Sequence, residues 1–117
     1  MYDIKPAINT LLGEIVGPDS VSNNYPEDFT NLPCISFYEQ DNKDVYKLKT
    51  EVFTETVIQI DIWHNRSTGS LAQQVNEKMN SIGLKREFAR DIPDPSINHK
   101  TMRFKGKIDN RSLLVYQ

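Results

Sequence analysis

The sequence has very little cysteine and no long apolar run. Cys34 is the only cysteine among 117 residues, so the chain can form neither an intrachain disulfide nor a cysteine metal cluster. We predict a reduced, half-buried thiol there, because a cysteine outside a disulfide usually behaves as a small hydrophobic residue. No apolar stretch reaches about eighteen residues, and the N-terminus lacks the pattern of a signal peptide. We therefore expect a protein that is made and kept in the cytoplasm, with no membrane partner.

Glycine-rich phosphate loops and recognised metal-ligand spacings are missing as well. The five glycines are scattered and form neither a GxGxxG motif nor a GxxxxGK motif. His64 and His99 have no carboxylate or cysteine at a zinc spacing. The sequence therefore predicts no cofactor and no metal site. The net charge of −2 gives no general attraction to nucleic acid, so any contact with DNA has to be local.

Two segments carry apolar residues at helical spacing, and polar residues precede both of them. The first helix is predicted at about 3–16 with Asp3 as its cap. The second lies within 67–83 and starts at Ser67 or Thr68. The apolar stripes are Ile4, Ala7, Ile8, Leu11, Leu12 and Ile15 in the first helix, and Leu71, Ala72, Val75, Met79 and Ile82 in the second. Since each helix is apolar on one side only, each is expected to cover a sheet or a partner.

Alternating apolar and polar residues predict strands in the rest of the chain. These strands lie at about 33–40, 53–64, 85–91 and 98–108. The loop at 17–31 is predicted to be irregular, and the "DNKD" motif at 41–44 predicts a turn or the start of a longer excursion. Residues 45–52 fit either a strand or an extended loop.

The order of these elements predicts an α+β fold. We expect an antiparallel or mixed sheet of four to five strands with two amphipathic helices packed on one face. A chain of this length corresponds to a single domain, 1–117. The core sheet and the second helix occupy about 33–108, and 109–117 form a C-terminal extension that fits either an added strand or an interface segment.

The stretch "TVIQIDIWHN" at 56–65 places an aspartate and a histidine close together in sequence. Residues three apart in a strand point to opposite faces and lie about 10 Å apart. Asp61 and His64 therefore cannot pair while both stay in the strand, and pairing requires His64 to bend back from the following loop. No catalytic residue is predicted.

The strand face opposite Ile58, Ile60 and Ile62 has an unusual composition. It carries Trp63 next to polar residues, which suits a protein interface as well as it suits a covered core position. The late strand carries a basic row that fits solvent, phosphates or an acidic partner. The predicted interface residues are Gln59, Asp61, Trp63, Arg103, Lys105 and Lys107.

The succession of motifs resembles that of the tail-completion or tail-terminator proteins of long-tailed bacteriophages and prophages, which are small head–tail joining proteins. The resemblance covers about Leu32 to Asp109 and follows "LPCISFYEQ", "VIQIDIWHN", "LAQQVNEKMNSIG", "LKREFARDIPD" and "NHKTMRFKGKID". Its most telling parts are the strand ending in Ile60, Asp61, Ile62 and Trp63, the helix ending in Met79 and Gly83, and the late strand with His99, Lys100 and Arg103. None of these parts is a catalytic signature.

The resemblance implies a structural role without enzymatic activity. Such proteins form a ring, typically of six subunits, that caps the tail tube and presents the surface that docks to the head connector or stopper protein. DNA passes through the bore without sequence-specific binding. The implied location is the head–tail junction of the virion, after assembly in the bacterial host cytoplasm. A closed ring needs two different patches per subunit, and the basic row and the acidic segment 51–55 are a hypothesis for that pair.

Two alternative functions come from other classes. Glu39, Asp41 and Asp44 with the lysines after them fit a small metal-dependent nucleic-acid enzyme, although such mixtures are common on solvated turns. The other alternative is a protein–protein adaptor that is not part of a virion.

Overall fold

A computed structural model of the chain describes residues 3–26, 32–47, 50–109 and 115–116, with side chains at 3–26, 32–42 and 54–107. The described elements are helix α1 (Lys5–Val16), strands β1 (Val21–Asn23), β2 (Cys34–Lys47) and β3 (Thr50–His64), helix α2 (Gly69–Ser81), and strands β4 (Lys85–Ile92), β5 (Asn98–Asp109) and β6 (Val115–Tyr116).

The described strands form one mixed sheet. Its main order is β1-β2-β3-β5-β4, and β6 pairs with β5 beyond the end of β4. β1 runs parallel to β2, whereas the other pairings are antiparallel. The α+β prediction with a mixed sheet of five main strands and two helices is confirmed. At the C-terminus β6 is an added strand, while residues 110–114 and 117 lie outside the described part.

Both helices pack on one face of the sheet and build the core there. The isoleucines of β3 alternate toward the helices because successive side chains of a strand point to opposite faces. The fully or nearly fully buried core consists of Ile4, Ile8, Leu12, Ile35, Phe37, Ile58, Ile60, Ile62, Val75, Met79, Leu84, Met102 and Phe104. Each large side chain of this kind stabilises the fold by about 1.5–3 kcal/mol relative to an exposed position. This layer leaves the opposite face of the sheet as the place for a site.

The helix ends follow the sequence signals in part, because Ile4 rather than Asp3 takes the N-cap position of α1 and neither N-cap residue makes a side-chain capping hydrogen bond. The Asp3 carboxylate accepts the Lys5 N–H at 3.1 Å, and Gly17 ends α1 with φ 94°, a conformation that glycine adopts without strain. At α2, Ser67 Oγ accepts the Gly69 N–H at 3.4 Å, while Thr68 takes the N-cap position. Among the described residues no helix is long and apolar enough to cross a membrane.

Three local predictions are wrong. Ala7 is exposed, because it lies at the rim of the stripe centred on Ile8 and Leu12. The "DNKD" motif forms no turn but continues β2, since a β-bulge between Glu39 and Asp41 absorbs one residue and pairing with β3 resumes. The predicted irregular loop contains β1, which pairs with β2.

Candidate interaction surface

The candidate site is the sheet face opposite the helices, which we call the open face. Antiparallel register arranges its side chains in rows across four strands. In order along the sheet, these rows are Ile92, His99, Trp63 and Cys34; Arg90, Thr101, Asp61 and Ser36; Phe88, Arg103, Gln59 and Tyr38; and Lys85, Lys105, Val57 and Asp41. Cys34, predicted to be half-buried, is 5% exposed. The first row is aromatic and apolar, whereas the last rows are basic.

An aromatic cluster occupies one end of the open face. The rings of Trp63 and His99 are stacked, with centroids 3.6 Å apart and an interplanar angle of 16°. Tyr25 meets Trp63 edge-on at 5.4 Å. The indole N–H of Trp63 donates to Ser36 Oγ at 3.1 Å, so the polar edge of the ring is satisfied inside the sheet. We call Tyr25, Trp63, His99 and Ile92 the aromatic end.

The Asp61 carboxylate contacts the edge of the His99 ring, whose face stacks on Trp63. His99 Nε2 lies 2.9 Å from Asp61 Oδ1, and the two side chains are 14% and 15% exposed. Because Asp61 lies opposite Thr101 and His99 lies opposite Trp63, this contact runs diagonally across β3 and β5. Stacking and the carboxylate together hold the imidazole in one orientation.

Asp61 and His64 point to opposite faces of β3, as the strand spacing predicts. His64 Nδ1 instead accepts the N–H of Asn65 at 3.0 Å. The partner of Asp61 is 38 residues further along the chain. Only the β3–β5 register reveals this pair, so no local sequence signal could have found it.

The buried side-chain amide of Gln59 links Thr101, in the middle of the open face, to Arg103 in the adjacent row. Gln59 and Thr101 are 7% and 8% exposed, and Gln59 Nε2 donates to Thr101 Oγ1. Arg103 Nε donates to Gln59 Oε1 at 3.5 Å. Both ends of the amide are therefore engaged, and Gln59 positions the Arg103 guanidinium.

Two guanidinium groups share one aromatic ring. The guanidinium carbon of Arg90 lies 4.4 Å from the Phe88 centroid, and that of Arg103 lies 4.8 Å from it. Each cation–π contact of this kind contributes about 0.5–1 kcal/mol at an exposed site. Phe88 therefore holds two cations side by side above β4 and β5.

Lysines extend this positive charge along the sheet. Lys85 and Lys105 lie directly opposite each other, and both are exposed. Lys107 follows on β5 and lies 3.6 Å from the Glu55 carboxylate. In the part of the chain with described side chains, Lys85, Arg90, Arg103 and Lys105 form no ion pair with a carboxylate. We call Lys85, Arg90, Arg103, Lys105 and Lys107 the basic strip.

The six predicted interface residues all lie on the open face, at different depths. Trp63 and Gln59 are buried within the chain, at 5% and 7% exposure. Asp61 and Arg103 are partly buried, and Lys105 and Lys107 are exposed. The hypothesis of complementary ring patches pairs the acidic segment of one subunit with the basic row of the next. Glu55 of that segment instead contacts Lys107 within the same sheet. Sequence reasoning missed five residues of this face. Strand register brings in Lys85, Phe88, Arg90 and Ile92, whereas Tyr25, which follows β1, joins through its ring contact with Trp63.

The acidic residues near the bulge do not converge. Glu39 faces the helix side, where its carboxylate accepts hydrogen bonds from Asn42 Nδ2 at 3.1 Å and from Thr56 Oγ1 at 2.8 Å. Asp41 lies on the open face opposite Val57, since the bulge reverses the alternation. The Asp44 side chain lies outside the described residues. Within the described ranges, no group of three or more His, Cys, Asp or Glu could hold a metal ion.

Two cavities flank the aromatic end. One of about 400 Å³ is lined by Tyr25, Leu32, Trp63, Asp94, Ser96 and Ile97. The other, of about 680 Å³, is lined by residues of the α2 start and the β4–β5 connection, including Thr68, Ile92, Asn98 and His99. The aromatic end thus lines both cavities, with Tyr25 and Trp63 at one and Ile92 and His99 at the other.

Comparison with known proteins gives a likeness of fold. No family model matches the sequence, and a search of curated proteins finds no match. Among solved structures, the chain is similar to a chain from the virion of a native gene transfer agent particle. The TM-score is 0.60 at 11% sequence identity, and the match covers 94% of this chain and 100% of the other. This chain therefore has the fold of a protein found in that virion.

Proposed function

We propose that this chain is a structural protein of a phage or prophage virion that caps the tail tube and forms the tail side of the head–tail junction. It acts as a ring of six subunits and carries out no chemistry. Its partners are further copies of itself, the tail tube protein, the head connector or stopper protein, and the DNA that passes through the bore. It is assembled in the cytoplasm of the bacterial host.

The observation that carries this proposal is the shared fold with the gene transfer agent virion chain. That chain is matched along 100% of its length, so this fold accounts for the whole of a virion protein. The sequence resemblance to tail-terminator proteins supports the finer assignment, since it covers the same strands and α2.

The aromatic end is the part of the open face best suited to a protein partner. Tyr25 and Ile92 are the exposed large hydrophobic residues of the described chain, at 60% and 37% exposure. Both flank the stacked Trp63 and His99 rings, which hold them on a rigid base. Aromatic and apolar anchors on a fixed support are the composition of binding hot spots. The exposed side chains of the interface are thus supported by the more buried residues Trp63, Asp61 and Gln59.

The proposal is tested by adding the purified chain to growing tail tubes of the same source. We expect the tubes to stop lengthening and rings to cover one end, with roughly six chains per tube end, since ring contacts are heterologous and close on themselves. Negative-stain electron microscopy measures tube length, and light scattering measures the bound mass. Unchanged tube growth at saturating protein would contradict the proposal.

The same preparations distinguish the alternative functions. A metal-dependent nucleic-acid enzyme would bind Mg²⁺ in calorimetry, cleave DNA and lose this activity in Asp41→Ala. A non-virion adaptor would leave tube growth unchanged and bind no metal. A chain that caps tubes without DNA cleavage agrees with the structural role alone.

A further inference from the structure

The basic strip concentrates positive charge on a chain that is acidic overall. The chain has 14 lysines and arginines against 16 aspartates and glutamates. Five of these cations lie together on β4 and β5: Lys85, Arg90, Arg103, Lys105 and Lys107. Two described carboxylates share this half of the face: Glu55 contacts Lys107, and Asp41 lies two strands away from Lys105 in the same row. The strip is therefore a local exception to the net charge of −2.

The arrangement of the strip is unfavourable for the isolated chain. Lys85 lies directly opposite Lys105 in the antiparallel ladder. Like charges at such positions destabilise a sheet, because their Cβ atoms are about 5 Å apart. Arg90 and Arg103 are likewise brought to one ring, at 4.4 and 4.8 Å from its centroid. An external anion would turn this repulsion into attraction.

Several described carboxylates are already engaged by cations or a histidine of the chain itself. These contacts are Glu14 with Lys78, Asp61 with His99, Asp91 with Lys100 and Glu55 with Lys107. A second copy that covered the strip with these carboxylates would lose those contacts. Lysine is also depleted in protein interfaces, and here two guanidinium groups cover Phe88, the aromatic ring of the strip. A polyanion with regularly spaced charges fits the strip better than a protein does.

The dimensions of the strip suit a nucleic-acid backbone. Alternate residues of a strand are about 7 Å apart, and neighbouring strands are about 5 Å apart. Arg103, Lys105 and Lys107 therefore span about 14 Å along β5, with Lys85 and Arg90 beside them on β4. Duplex DNA carries a negative charge every 1.7 Å or so of its axis, so roughly eight phosphates occupy this length on both strands together. Three or four of them can face the strip.

We infer that the basic strip binds the phosphate backbone of double-stranded DNA without reading its sequence. Lys85 and Lys105 act as point charges, while Arg90 and Arg103 present guanidinium N–H groups fixed by Phe88 and Gln59. The inference rests on the proposed function for the source of the DNA, which is the genome that passes through the ring. Its support is the charge arrangement of the strip itself.

The test compares the wild-type chain with Lys85→Gln/Lys105→Gln by fluorescence anisotropy on a random-sequence duplex over a range of salt concentrations. We expect the salt slope to shrink by about 1.8 and the dissociation constant at 0.1 M salt to rise by about 60-fold, if each lysine neutralises one phosphate. Lys5→Gln/Arg66→Gln removes the same charge from exposed positions outside the strip and should bind as the wild type does. Lys85→Arg/Lys105→Arg should also retain binding.

Three results would overturn the inference. They are no duplex binding by the wild type, equal losses in the strip variant and in the control, and a strip variant that binds DNA normally but no longer self-associates in light scattering. The last result would assign the strip to a second copy. Anisotropy uses the free chain, and tube capping is measured separately. Failure of DNA binding would therefore leave the capping result intact, and failure of capping would leave the DNA-binding result intact. Circular dichroism confirms that each variant is folded.

Discussion

Trp63 combines an apolar and a polar role in a single side chain. One ring face stacks on His99, the edge of Tyr25 approaches it, and the indole N–H reaches Ser36. The residue is 5% exposed although it lies on the side of the sheet away from the helices. Burial on this face comes from neighbouring strands and from Tyr25 rather than from the main core.

Replacement of Trp63 should separate these two roles. Trp63→Ala is expected to lower the free energy of unfolding by about 3–5 kcal/mol, because it removes a buried ring. Trp63→Phe keeps a stacking ring but leaves Ser36 without its indole donor, which should cost about 1 kcal/mol. Urea denaturation measures both values. Tyr25→Ala serves as the control at a 60% exposed ring and should cost far less. A loss below about 1 kcal/mol for Trp63→Ala would contradict the assigned packing.

Asp61 offers a direct comparison between a neighbour in sequence and a neighbour in space. Its carboxylate lies 2.9 Å from His99 Nε2, whereas His64 points to the other face of β3. A double-mutant cycle with Asp61→Asn and His99→Gln should give a coupling energy of about 0.5–3 kcal/mol, as contacting residues do. The matched cycle with Asp61→Asn and His64→Gln should be additive within about 0.5 kcal/mol. Equal couplings in the two cycles would refute the geometry.

At the scale of elements, α1 contributes to the core through one narrow stripe. Ile8 and Leu12 are fully buried against the sheet, whereas Ala7 is exposed. Leu12→Ala is therefore expected to cost about 2–5 kcal/mol of stability, through lost burial and a cavity. Ala7→Gln should change stability by less than about 0.5 kcal/mol, because it alters a solvated position. Denaturation midpoints of the two variants, compared at equal m-values, measure both changes in stability. A large loss in Ala7→Gln would instead indicate a wider buried stripe that includes Ala7.

The helices and the main strands were predictable because each has a strong period of its own. The 3.6-residue stripe of α1 and the two-residue alternation of β3 and β5 can be read without knowledge of the partner element. The continuation of β2 through Asp41 and Asp44 could not be predicted in this way. Its polar residues favour a turn locally, and pairing with β3 across a bulge overrides that preference.

At the scale of the whole molecule, the average charge hides the organisation of the surface. A net charge of −2 gives no general attraction to DNA, yet five cations of the open face lie together in the basic strip. Arg103, Lys105 and Lys107 could be recognised from the alternation within β5. Lys85 and Arg90 could not be added to them, because their positions depend on the β4–β5 register and on the irregularity between Arg86 and Phe88. A site shared between strands is visible only once those strands are paired.

If the aromatic end contacts protein and the basic strip contacts DNA, as proposed, a variant confined to the aromatic end should affect tube capping and leave DNA binding unchanged. Tyr25→Ser/Ile92→Ser removes the two exposed apolar side chains and leaves Trp63, His99 and the basic strip in place. If these residues are hot spots worth about 2 kcal/mol or more together, the concentration needed for capping should rise at least about 30-fold. Electron microscopy of tube lengths over a protein dilution series measures this shift.

Gln73→Ser/Asn80→Ser, at exposed positions of α2, is the matched control and should cap as the wild type does. Capping by the Tyr25/Ile92 variant at wild-type concentrations would assign the protein contact to another surface. The salt-dependent DNA binding of this variant is expected to be unchanged in either case.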